Sequence, residues 1–441
     1  DLTQLKKAIS SLGWKEKQYL NTKKEFIQQL AGLPDKDVTD YLKQLYLAAG
    51  DTLELQHAVL NSLLRQTTAY SYSTFKDIIL NEPPVLEVET SAYNDFNRRR
   101  SYNNYTTVSS NDYNMGGAFL ENLTDSLRLT ATIFKDLLPL INIDDYEQPM
   151  MHLMQVMVDS NYLKPKDYEM YFTKFLMEAK QTWKKQSIGE KSKSIEEAEL
   201  KEGNDLVKKR KRKGDAGNAQ LNLLATLLMP FWDTHTSVPP FMQQLLTSND
   251  QEVKYQNMLL LLQHGKPLPD TLLGYFAALD EYRYGLYHDL QHLNKSTLFP
   301  KSYSSVELLA KSKLITSTNY QSIDTLQFVD KIAIDHKGKR GHILLYKYKE
   351  SKDDVSWRIA SVGLIPAEDK TFEIMQEGNE GIPDDEYDFT EVAGTKIEED
   401  QPLSTQLHKV VKQLLNSKRK SAAEFYQTEN EYEQMLYRNR Y

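Results

Sequence analysis

At 441 residues the chain has room for two to four domains of roughly 100 to 200 residues each. Hydrophobic residues at 40% and charged residues at 26% sit near globular averages and exclude wholesale disorder, while 54 Lys and Arg against 62 Asp and Glu give a net charge of -8, so any contact with polyanions or lipid must be local. The absence of cysteine removes disulfide frameworks, thiolate metal sites, iron–sulfur clusters and cysteine nucleophiles as function classes.

A start at Asp1 rather than Met points to the C-terminal part of a larger protein or to a processed chain. Residues Leu5, Ile9, Leu12, Trp14, Leu20, Ile27 and Leu30 recur at helical spacing between Lys and Glu, which predicts an ordinary surface helix rather than a targeting segment. Val38 to Leu47 predicts an amphipathic helix stopped at Gly50. Asp51 or Thr52 then caps a second helix carrying Leu53 to Leu64, and a short third segment runs over Tyr72 to Leu80. The stretch 91–117 is rich in Asn and Tyr with few aliphatics and is expected to form an inserted loop.

Further helices are predicted over Leu127 to Leu140, Met150 to Asn161 and Tyr168 to Trp183, with Asn161 to Pro165 as a turn. Residues 184–218 read as a charged linker, a solvated helix fraying near Gly214 to Gly217. The apolar stretches Leu221 to Trp232 and Met258 to Leu262 fall well short of the roughly 20 residues of a spanning helix, so no membrane span is expected.

The layout then repeats. Asp35-Lys-Asp-Val38 is matched by Asp250-Gln-Glu-Val253, and in each copy a Gly follows the Val twelve positions on, Gly50 and Gly265. Asp270 is placed to cap a following helix, continued by Tyr282, Leu286, Tyr287 and Leu290 and ended at Phe299-Pro300. Phe75-Lys-Asp-Ile-Ile-Leu80 is echoed by Phe134-Lys-Asp-Leu-Leu-Pro139. Paired helices in units of about 40 to 47 residues resemble HEAT or armadillo repeats, in which stacking buries a face that one pair cannot bury alone.

After Tyr320 the period changes. Leu326 to Ile334, His342 to Tyr348 and Trp357 to Leu364 predict antiparallel strands with a loop over Asp335 to Gly341, and Thr371 to Met375 and Glu386 to Val392 are candidate additions. Pro402 opens a helix with Leu403, Leu407, Val410, Val411 and Leu414, expected to lie across one face of the sheet. The fold class is therefore mainly α: an irregular HEAT-like α-α superhelix followed by a small α+β domain with an antiparallel sheet. Its divisions are helical repeats over 1–183 and 219–315 and the α+β domain over 321–441.

The sequence holds no phosphate-binding Gly-rich signature, no dinucleotide fingerprint and no Gly-x-Ser-x-Gly elbow, and it calls for no cofactor. His288-Asp-Leu-Gln-His292 sets two imidazoles one helical turn apart, the spacing that lets both reach one zinc ion. It resembles the His-Glu-x-x-His of zinc peptidases, but Asp289 is one methylene shorter than the general-base Glu and no third ligand follows at a family spacing. That leaves a zinc-dependent hydrolase using His288 and His292 as the alternative from the enzyme class.

A second alternative is polyanion binding through the basic run Lys208, Lys209, Arg210, Lys211, Arg212 and Lys213, although a reading motif is lacking and nucleic acid is disfavoured. Adjacent carboxylates such as Asp280-Glu281 diverge on a helix and do not pair as acid and base. Asn104, Asn122 and Asn294 fit the glycosylation triplet without further support.

The reading favoured is a non-enzymatic scaffold that presents an extended surface to an unidentified protein or peptide. Its weak candidates for contact are Tyr282, Arg283, Tyr284 and His288, where aromatics and charge crowd one helix. The strings Asp51-Thr-Leu-Glu-Leu-Gln56, Leu63-Leu-Arg-Gln-Thr67, Phe75-Lys-Asp77, Asp270-Thr-Leu-Leu273 and Tyr282-Arg283 also resemble the helical C-terminal region of long bacterial TraB/GumN-like proteins. That resemblance implies an accessory part at the cell envelope, with the hydrolase domain of such proteins lying upstream and no site to carry over.

Overall fold

The computed structural model describes residues 2–12, 19–50, 52–84, 115–200, 216–317, 323–351, 354–366 and 390–416. It is mainly helical, with one four-stranded antiparallel sheet towards the C-terminus, and it divides into two compact units, Asp1–His264 and Gly265–Tyr441. No helix among the described residues is long and apolar enough to cross a membrane. The division falls inside the stretch 219–315 that the sequence reads as repeats.

In the first unit α1 (Leu2–Ser11) and α2 (Leu20–Ala31) stand where the sequence suggests one surface helix. Ile9, Ile27 and Leu30 are buried, so both helices contribute to the core. Next come α3 (Lys36–Ala48), α4 (Leu53–Arg65) and α5 (Ala69–Asn81). The Asp35 side chain accepts from the Asp37 amide at 2.7 Å, and Gly50 takes φ +53°, a left-handed turn that a Cβ would oppose. Thr52 stands at the start of α4 but caps it with its backbone carbonyl and not its hydroxyl. The start of α5 carries a Thr68–Ser71 capping box, and the helix begins at Ala69, three residues earlier than the apolar pattern alone suggests.

Polar side chains tie these helices together. Ser62 donates to the Ile27 carbonyl at 3.1 Å, Gln66 to the Leu33 carbonyl at 3.0 Å, and Tyr46 to the Glu82 carbonyl at 2.6 Å. A 3-10 segment (Met115–Ser126) leads into α6 (Leu127–Leu137), which packs on α5. The echoed Phe-Lys-Asp strings meet there: Phe75 and Phe134 are both buried, and Lys76 of one string pairs with Asp136 of the other at 2.9 Å.

The unit continues with α7 (Asp144–Asp159), α8 (Phe172–Leu200), α9 (Ala216–Leu228), α10 (Val238–Leu245) and α11 (Gln251–Gln263). Half of the expected linker is thus the C-terminal part of α8, and Ala216 and Gly217 already belong to α9. Asp250 repeats the cap of Asp35 with two amides, Glu252 at 2.9 Å and Val253 at 3.3 Å, and Gly265 repeats the left-handed stop at φ +64°.

The second unit begins with α12 (Thr271–Ala278), α13 (Arg283–His292) and α14 (Val306–Ser317). Asp270 precedes α12 without a side-chain cap bond. Strands β1 (Thr325–His336), β2 (Lys339–Lys349), β3 (Arg358–Pro366) and β4 (Glu391–Lys396) form a meander in chain order. The expected seven-residue loop shrinks to Lys337-Gly338, whose φ values of 50° and 82° give the doubly left-handed turn that matches hairpin twist. Of the candidate strands only the second is found, shifted to β4; 371–375 lies outside the described residues.

On one face of the sheet Ile343, Leu345, Ile359 and Leu364 pack on Leu407, Val410, Val411 and Leu414 of α15 (Leu403–Asn416). Each such buried aliphatic contributes about 1.5–3 kcal/mol. The other face carries Leu344, Tyr346, Ala360 and Val362, all buried, beside α14, and the Tyr346 hydroxyl donates to the Glu307 carbonyl at 2.7 Å. The sheet is therefore covered on both faces, where the sequence suggests one. The signal lies in Ile359 to Ile365, an unbroken buried run rather than an alternating one.

Candidate functional site

The aromatic and charged stripe on α13 separates into two parts with different fates. Tyr282 opens the helix, its ring 5.1 Å from Phe276, and the next residue, Arg283, is 3% exposed. The Arg283 guanidinium donates through Nε to the Ala277 carbonyl at 2.7 Å, through Nη2 to the Ala278 carbonyl at 3.0 Å, and through Nη1 to Asp280 Oδ1 and the Leu308 carbonyl. The carbonyls of Ala277 and Ala278 end α12 and lack partners within their own helix, so a buried cation is what their lone pairs and the helix dipole favour.

Asp280 also pairs with Lys311 Nζ at 2.7 Å, and Ser312 bridges the Asp280 carbonyl to the Tyr284 amide, which it accepts at 2.8 Å. Burial pushes the Asp280 carboxyl up, but the Lys311 and Arg283 bonds outweigh it and hold it below the usual carboxylate range. Arg283 therefore spends its donors on the junction of α12, α13 and α14 rather than presenting them to a ligand.

Past that junction Tyr284, His288 and His292 lie four residues apart, so they share one face of α13, while Leu286 and Leu290 turn into the core. The His288 ring stacks on Tyr284 with centroids 6.2 Å apart and planes inclined by 29°. Lys313 Nζ stands 4.9 Å from the Tyr284 ring centre. His288 and His292 meet edge to face, and their Nε2 atoms are 3.2 Å apart. Two neutral imidazoles at that distance share one proton, one ring donating and the other accepting. The structure thus joins the two histidines that the sequence pairs; among the described residues, no group of three or more His, Asp or Glu side chains comes together to hold a metal ion.

One cluster escapes sequence reading. Lys174 on α8 contacts Glu147 of α7 at 2.6 Å and Glu178, one turn along its own helix, at 3.9 Å, and donates to the Ile141 carbonyl at 2.7 Å. Desolvation, and after it the charge of Glu147, push Glu178 up to about 7. A carboxyl that exchanges its proton near neutrality has the property asked of a general acid or base. Spacing shows only the Lys174–Glu178 half of this cluster, since Glu147 is brought in by the packing of α7 on α8.

The basic run Lys208 to Lys213 and residues 91–114 lie outside the described residues. Asn122 donates its amide to Asn61 Oδ1 at 2.7 Å and is half-buried, which removes it as a glycan acceptor. No family model matches the chain, and neither does any curated protein or solved structure at a significant level, so the HEAT-like and TraB/GumN-like resemblances rest on the strings and spacings given above.

Proposed function

We propose that the chain is a non-enzymatic scaffold that binds a protein or peptide through its helical part. The observation that carries this reading is the use made of polar and aromatic groups in the first unit. Helices close in sequence pack on one another and are joined by side-chain bonds to backbone carbonyls: Ser62 in α4 reaches Ile27 of α2, Gln66 just after α4 reaches Leu33, and Tyr46 of α3 reaches Glu82 just after α5. Tyr168 does the same, reaching the Leu227 carbonyl at 3.1 Å, and burial holds its hydroxyl far above the ordinary range, in the protonated donor state. Serial packing of this kind spreads an outer surface whose residues vary freely while the inner ones keep the stack, which suits a HEAT-like binding role.

Such a surface offers Met170 and Met177, 79% and 56% exposed, on the side of the segment opposite buried Phe172, Phe175 and Ala179. Exposed thioethers adapt to many apolar partners. The test pans a displayed peptide library on the full-length chain and on the chain carrying Met170→Glu and Met177→Glu. A consensus peptide that binds the first and not the second, at equal thermal midpoints, supports the reading. If no peptide is enriched over panning on an unrelated protein and the chain instead hydrolyses a member of an ester, peptide and phosphoester panel, the scaffold reading fails and Glu178 becomes the first residue to replace.

A further inference from the structure

We infer that His288 and His292 form an open two-nitrogen site for a divalent transition metal with a preference for imidazole, of the zinc type. This inference is independent of the scaffold reading. A tetrahedral zinc ion bound at about 2.0–2.1 Å holds two nitrogen ligands roughly 3.3 Å apart. In the structure the two Nε2 atoms are 3.2 Å apart, so the separation a metal requires is already present and a tilt of the rings brings both lone pairs onto one point.

Three features make the site more than a spacing. The two histidines are one turn apart within a helix whose Leu286 and Leu290 are fully buried, so their Cα atoms are fixed by the core. The stack on Tyr284 restricts the His288 ring. The two nitrogens already face one another at hydrogen-bond distance. On binding, the ring that donates its Nε2 proton carries it at Nδ1 instead, and both Nε2 lone pairs go to the metal without a net change in protonation.

The chemistry of the donors selects the ion. Neutral imidazole suits zinc, copper and nickel, whereas magnesium and calcium require oxygen donors. With two protein ligands, the remaining positions go to water, and Lys313 one ring away opposes a cation, so affinity is set well below that of a closed structural site.

The test uses the full chain purified without a histidine tag. Zn2+ is titrated in competition with a chromogenic chelator, and Co2+ is followed by its visible absorption. The expected result is one more equivalent of Zn2+ in the native chain than in the His288→Ala/His292→Ala double variant, an at least roughly tenfold weaker site in His292→Ala, no competition by Mg2+, and zinc-dependent slowing of amide exchange at the end of α13. His292 is exposed, so its replacement leaves the fold in place, and an unchanged circular-dichroism melt without metal verifies this. Equal zinc uptake by the native chain and the double variant, or uptake with no protection of α13, overturns the assignment.

Discussion

Two half-buried carboxylate clusters, one in each unit, are built to opposite rules. In the first, two carboxylates, Glu147 and Glu178, share the single cation Lys174. In the second, two cations, Arg283 and Lys311, converge on the single carboxylate Asp280. Burial opposes ionisation in both, yet Glu178 ends far above its ordinary value and Asp280 below its own. The neighbours decide the sign: burial opposes both charges, but Asp280 is hydrogen-bonded by two cations whereas Glu178 faces a second carboxylate.

The largest effect is expected from removing a cation where it is buried. Arg283→Met leaves the Ala277 and Ala278 carbonyls without donors and should cost about 3–5 kcal/mol in denaturant unfolding, with amide protection lost first over α12 to α14. Lys174→Met is the contrasting case: its side chain is 30% exposed and Glu178 can hold a proton, so about 1 kcal/mol or less is expected at pH 6. Equal losses in the two variants would break the comparison. Ser312→Ala falls between, at about 1–3 kcal/mol, because it strands the Tyr284 amide that the hydroxyl accepts at 2.8 Å.

The pH responses should have opposite signs. Glu178 is raised from 4.5 to about 7, so the native state binds more protons across that interval. Its contribution is present below the ordinary value and is lost as pH rises through 7. Glu178→Gln should remove this slope and stabilise the contact of α7 with α8 at pH 8 by about 1–2 kcal/mol once solvent screening is allowed for. Asp280 is depressed, so its contribution is present above the ordinary carboxylate value and is lost as acid lowers pH through the folded one. Exchange measured peptide by peptide between pH 4 and 8 separates the two signs.

How much of this was legible follows from where each signal lives. Asp35, Gly50, Asp250 and Gly265 act locally: a carboxylate before a helix and a glycine after it do their work within a few residues, so their roles can be read from the sequence. The strands and the helix Leu403–Asn416 were legible for the same reason, through period and composition. The histidine pair on α13 is local too. Arg283 misleads because a string shows an aromatic and charged stripe but not the two helix-end carbonyls, five and six residues back, that its guanidinium meets. The meeting of Glu147 with Glu178 is invisible, since tertiary packing alone sets it. The second cover on the sheet was missed because most of Val306–Ser317 falls in the stretch 219–315 assigned to the helical repeats, and nothing local says that Tyr346 will reach the Glu307 carbonyl.

The smallest effect sharpens the comparison by removing charge from it. Asp250 is a carboxylate served by neutral donors: the amides of Glu252 and Val253 on Oδ1, and Asn218 Nδ2 on Oδ2 at 2.9 Å. Asp35 makes one such amide bond, to Asp37. If hydrogen bonds and not net charge hold these helix starts, Asp35→Asn should stay within about 0.5 kcal/mol of the native chain, because asparagine caps as well as aspartate and Asp35 has no second donor to lose. Asp250→Ala should cost about 1–2 kcal/mol and Asp35→Ala about 0.5–1 kcal/mol, with exchange quickening at the first turn of α11 and α3 respectively. A loss in Asp35→Asn as large as in Asp35→Ala would mean that the charge, acting on the helix dipole, does the holding. The rule drawn from Lys174 and Arg283 would then extend to carboxylates that touch no cation.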